Sequence, residues 1–182
     1  VTLSTSATSI AEDAGSSLTI TATISQVADE DVTVSIATAG TALEGTDYST
    51  ISDITVSAGS TTGTASFTPT DDNVYEADET AIVSISSVTG ADATESGTQS
   101  ETITISADGD AAPSVTLATS ATSIDENAGT SLTLTATLSN PTNADVTVSL
   151  STGGTGTEGT DYSTISDITI YAGSTTGTAS IT

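Results

Sequence analysis

The sequence predicts an all-β protein built from tandem antiparallel β-sandwiches, with about seven strands per unit and a second unit that is incomplete. Three observations carry this. Residues 1–68 return as residues 115–182 at a fixed offset of 114, with 49 identities in 68 aligned positions. A period of that length is the size of a whole sandwich domain rather than of a solenoid turn. Apolar residues alternate with hydroxyl residues, the period of a strand with one face buried and one wet, and no stretch of the 182 residues shows helical periodicity.

The elements follow in chain order. Val1-Thr2-Leu3 reads as a short opening strand that resumes near Ile10. Leu18, Ile20, Ala22 and Ile24 alternate with Thr19, Thr21 and Thr23, and Leu132, Leu134, Ala136 and Leu138 repeat the pattern in the second unit. Further strands read as Val32-Val34-Ile36, Ile54-Val56, Ala65-Phe67, Ala81-Val83-Ile85 and Ile103-Ile105. Gly, Asp and Ser clusters such as Ala58-Gly59-Ser60 separate them, and Thr suits the exposed strand positions because it is β-branched. The first unit then spans residues 1–110, a linker 111–114, and the second unit 115–182.

Composition excludes whole classes of function. The chain has 24 Asp plus Glu and no Lys, Arg or His, a formal net charge of −24. A globular chain of this length ordinarily carries about 20 basic residues. Without them there is no neutralisation of a nucleic-acid backbone and no attraction to an anionic membrane surface. No stretch approaches the roughly 20 apolar residues of a membrane span. Catalysis by His, Cys or Lys is impossible, so no enzyme is expected; only carboxylates and hydroxyls remain. Ser and Thr supply 71 of the 182 positions, so trypsin-like proteases find no target while O-glycosylation has many. The absence of Cys excludes disulfides, and Val1 to Thr5 has no leader character, so the sequence reads as a mature segment or a piece of something longer.

The acidic residues are clustered: Glu12-Asp13, Asp29-Glu30-Asp31, Glu44 with Asp47, and five carboxylates within Asp71 to Glu79. Such a run repels itself unless it is solvated or bridged by a cation, and calcium takes six to eight oxygen ligands from loops of this kind. The EF-hand spacing is absent. These residues resemble the Calx-beta domain. Ser9-Ile10-Ala11-Glu12 with Gly15 is similar to the family's opening strand, Gly45-Thr46-Asp47-Tyr48 to its Gly-x-Asp-Tyr signature, Ala58-Gly59-Ser60 to a turn, and Asp71 to Glu79 to its acidic loop. The resemblance implies an immunoglobulin-like sandwich with calcium at one end. The ligands it implies are Glu12, Asp47, Asp71, Asp72 and Glu76, with Asp108 and Asp110 in place of the family's consecutive closing Asp residues. Solvated loop acids without an ion are the competing reading. Glu79 is set apart as a residue that faces solvent, and Asp29 to Asp31 as a solvated turn.

In the second unit Ile124-Asp125-Glu126 with Gly129 and Gly159-Thr160-Asp161-Tyr162 continue the resemblance, but counterparts of the last two strands and of the acidic loop are missing before Thr182. A complete ion site is not expected there. Either the natural chain runs on, or a neighbouring copy donates the missing strands by strand complementation. The functional expectation is a structural repeat segment of a secreted bacterial surface protein, an adhesin stalk or an extracellular filament subunit, stabilised by calcium and located outside the cell or on its surface. Its partners are neighbouring copies of itself, with no nucleic acid and no direct membrane insertion. A calcium-sensing regulatory module and a ligand- or glycan-binding adhesion module are the alternatives; one Phe and four Tyr are few for a sugar platform.

Overall fold

In the computed structural model, which describes residues 1–107, 109–127 and 129–182, the period-two pattern becomes thirteen strands and no helix among the described residues. Contacts divide the chain into two compact units. The first comprises Val1–Asp72 and Ala77–Gly109, the second Asn73–Glu76 and Asp110–Thr182.

The first unit is a sandwich of two sheets. One has the order β1-β3-β6, formed by Thr2–Thr5, Leu18–Thr23 and Thr62–Phe67. The other has the order β2-β8-β7-β4-β5, formed by Ser9–Ala11, Ser100–Ser106, Glu79–Thr89, Val32–Gly40 and Ile54–Val56. All pairings are antiparallel except β2 with β8, which sets Ile10 beside Ile105. The opening segment thus belongs to both sheets, β1 to one and β2 to the other, so the unit has eight strands where the opening stretch counted as one gives seven.

The alternating apolar residues meet between the sheets. Leu3, Ile20 and Ala22 on one side face Val32, Val34, Ala81, Val83 and Ile103 on the other, all buried. Each large aliphatic side chain removed from water in this way contributes about 1.5–3 kcal/mol. Phe67 and Tyr48 are the largest buried side chains, and their rings stack with centroids 4.7 Å apart. Two details fix the register. A β-bulge between Ser35 and Ile36 shifts β4 against β7, and Asp53 holds it, accepting from the Ile36 N–H at 3.1 Å and the Ser35 hydroxyl at 2.9 Å. Gly63 in β6 lies so near the Thr55 carbonyl of β5 that a Cβ would collide with it, which is why this strand position has no side chain.

The second unit repeats half of this plan. Val115–Thr119 (β9), Leu132–Leu138 (β10) and Thr176–Ile181 (β13) form a sheet in the order β13-β10-β9. Val146–Val148 (β11) and Ile168–Ile170 (β12) form a second sheet of two strands. Its core is Leu134, Ala136, Leu138, Ile168 and Ile170. Asp167 repeats the work of Asp53, accepting from the Leu150 N–H at 2.9 Å and the Ser149 hydroxyl at 3.1 Å. The segment around Ile124, expected to repeat the opening strand, forms none, because β2 exists in the first unit only through its pairing with β8. Tyr75 of the acidic loop bridges Thr142 and donates its N–H to the Pro141 carbonyl at 2.9 Å, which is why Asn73–Glu76 is counted with this unit.

Candidate metal centre

The best-ordered part of the acidic end is the turn that carries the Gly-x-Asp-Tyr motif. After β4 the chain reverses through Leu43 to Tyr48. The Gly45 N–H donates to the Tyr48 carbonyl at 2.7 Å, the Asp47 N–H to the Leu43 carbonyl at 2.9 Å, and the Leu43 N–H to Asp47 Oδ2 at 2.6 Å. Gly45 occupies the left-handed region, φ 85°, which a Cβ would penalise. Tyr48, 1% exposed, anchors the turn in the core and bridges Pro69. Burial raises the Tyr48 phenol above its ordinary value; a hydrogen bond with Thr38 opposes this, and the charges of Glu44 and Asp47 add to it.

Glu44 is a second fixed point that sequence reading assigned no role. Its Oε1 accepts from the Ile51 N–H at 2.7 Å and its Oε2 from the Thr38 hydroxyl at 2.8 Å, so one carboxylate closes the loop between β4 and β5. Glu158 does the same with Ile165 at 2.8 Å and Thr152 at 3.1 Å, and Asp161 with Thr157 at 2.7 Å. The repeat of the same acids at the offset of 114 was the signal: a carboxylate kept in both units, where only one carries an acidic loop, is doing structural work.

Asp47, Glu76 and Glu79 bring one carboxylate oxygen each to within 4.8 Å of one another, all three half-buried. Glu79 opens β7 and is set opposite Ile105 of β8, so its placement comes from the sheet. The other sequence candidates lie elsewhere. Glu12, 6% exposed, follows β2, and its N–H donates to the Ser106 carbonyl at 3.1 Å. Asp71 and Asp72 are exposed, Asp110 is half-buried and counted with the second unit, and Asp108 lies outside the described residues. Asp78 is taken up structurally, accepting from the Ala107 N–H at 3.1 Å.

The donor set fits calcium. Three carboxylates offer up to six hard oxygens, calcium prefers six to eight, and no side-chain cation exists anywhere in the chain to neutralise them. Asp47 would hold an ion from a pinned turn, Glu79 from a strand end and Glu76 from the loop between. What the ion supplies is charge compensation and cross-linking; none of the three is placed beside a nucleophile or base for acid–base chemistry.

An all-β sandwich of tandem repeats with an acidic cluster and no catalytic group defines a class: repeat domains of the adhesin type, which are structural, adhesive and calcium-binding rather than enzymatic. The chain belongs to the LapA domain family, whose model matches residues 1–109, and residues 108–179 match the Calx-beta domain. The first unit, which resembles Calx-beta in its motifs, is thus the one that the LapA model covers. No curated protein matches significantly. Among solved structures the chain is similar to the calcium binding domain CBD12 of CALX1.1, at 16% identity over 99% of this chain and 74% of that one, TM-score 0.50. It is also similar to CBD12 from CALX1.2, at 18% identity over 95% and 71%, TM-score 0.48. A further likeness, to the D0-D1 domain of intimin, has 18% identity over 99% and 83% and a TM-score of 0.35. At 16% identity the first of these shows the fold alone. No helix among the described residues is long and apolar enough to cross a membrane.

Proposed function

We propose that this chain is a structural repeat segment of a secreted bacterial surface protein, an adhesin stalk or extracellular filament subunit, whose first unit is stabilised by calcium. The observation that carries the reading is the convergence of Asp47, Glu76 and Glu79 within 4.8 Å in a chain without one basic side chain. The LapA and Calx-beta matches support the surface-adhesin part of it. With an ion bound, the turn after β4 and the start of β7 are tied to the acidic loop, so parting them requires losing the ion. An extracellular module with a Kd of about 10⁻⁴ M gains roughly 2.7 kcal/mol at calcium a hundredfold higher. That is a substantial share of the usual 5–15 kcal/mol stability of a domain.

The function is mechanical, so the test is too. Tandem copies of the chain stretched in a single-molecule instrument are expected to unfold the first unit at higher force in calcium than in chelator. A Glu76→Gln, Glu79→Gln variant should give the chelator force under both conditions. Equal forces for the natural chain with and without calcium would remove the calcium half of the proposal.

A further inference from the structure

The second unit leaves uncovered the face that β7 and β8 cover in the first. Leu117 is 52% exposed where its counterpart Leu3 is 5% exposed, and Ile124 is 37% exposed where Ile10 is 8%. Val148, Leu150, Ile165 and Ile181 are only partly buried beside them. The free edge tells the same story. Strand β4 runs nine residues with β5 on one side and β7 on the other, whereas β11 runs three and pairs with β12 alone. Composition does not explain the contrast, since the two units share 49 of 68 residues.

We propose that this face of the second unit is a docking groove for a partner of one chemistry: a two-stranded antiparallel β-hairpin with the pattern of β7–β8. The first unit supplies the template. There Ala81, Val83, Ile103 and Ile105 point into the core while Thr and Ser alternate with them on the wet side. By the offset of 114, one strand of the hairpin pairs antiparallel with the free edge at 147–154 and the other runs parallel to 123–125. Main-chain hydrogen bonds along the edge give affinity and the alternate apolar residues fill the groove. A second copy of the whole chain is not the donor. Its own hairpin is already built into its first unit, with Ala81, Val83 and Ile103 fully buried, so every added copy brings two faces and one hairpin. The inference does not depend on calcium, and its test is run in chelator.

The experiment adds a synthetic peptide of residues 77–107 to the full chain and follows amide hydrogen exchange and binding heat. The expected result is one peptide per chain, with exchange slowed at least tenfold at 115–119, 123–125 and 146–150. A peptide carrying Ile103→Asp and Ile105→Asp should leave exchange unchanged. Because a free hairpin peptide can aggregate, a second chain is lengthened after Thr182 by a copy of residues 69–107 and should show the same protection. Unchanged exchange in both formats overturns the proposal, as does binding that survives the two Asp substitutions. Concentration-dependent dimers of the chain alone that protect these same residues overturn it as well, since the occupant would then be a second copy.

Discussion

Asp47 has two duties that its neighbours separate. Its Oδ2 closes the turn by accepting from the Leu43 N–H at 2.6 Å, and the same carboxylate stands in the group with Glu76 and Glu79. Asp47→Asn keeps an acceptor and removes a charge; Asp47→Ala removes both. The expectation is that Asp47→Asn unfolds like the natural chain in chelator but loses its calcium response. Asp47→Ala should also be weaker by about 1–2 kcal/mol in chelator, the net worth of a partly screened, charge-assisted hydrogen bond. Chemical denaturation of the three proteins in both buffers checks this. Tyr48 gives a second prediction. Its phenol is raised by burial, so above the unfolded value of about 10 the folded state holds the proton more firmly than the unfolded chain. The associated stability is fully present below pH 10 and is lost as pH climbs toward the folded value. Tyr48→Phe should flatten that part of the stability–pH profile.

At the scale of elements, strands are set by pattern but their lengths by partners. The alternation at Leu18, Ile20 and Ala22 marks β3 without further help, as does its copy at Leu132, Leu134 and Ala136. The pair β4 and β11 shows the limit: Val32-Thr33-Val34-Ser35 and Val146-Thr147-Val148-Ser149 are identical, yet one continues to Gly40 and the other stops at Val148. The deciding residues are those of β7, some fifty positions away, and no local pattern reports a non-local pairing. The same holds for the acidic end. A run of five acids announces a ligand-rich loop, but which of them converge depends on where β7 begins, and that places Glu79 in the group and leaves Asp71 and Asp72 exposed. Close approach of strands was legible only as an isolated glycine. Gly63→Ala must push β6 away from the Thr55 carbonyl of β5 and should cost about 1–3 kcal/mol, as overpacking does. Gly177→Ala meets the Thr169 carbonyl at 2.5 Å and should lower the second unit's stability in the same way. Urea unfolding followed by hydrogen exchange assigns each loss to its unit.

For the whole molecule the dominant fact is a net charge of −24 with nothing positive among the side chains. Self-repulsion at that charge opposes compaction and keeps separate copies apart. Sodium chloride screens it, with a Debye length of about 8 Å at 0.15 M, so the unfolding midpoint should rise smoothly with added salt of any kind. Calcium bound by Asp47, Glu76 and Glu79 acts differently, at low concentration and through one place. The measurement that separates the two is thermal unfolding of the full chain at fixed ionic strength, titrated with calcium, with magnesium and with chelator, beside the Glu76→Gln, Glu79→Gln variant. The account predicts a midpoint that climbs with calcium at millimolar levels, that magnesium does not reproduce, and that the variant lacks. A midpoint indifferent to calcium, or one raised equally in the variant, would contradict it.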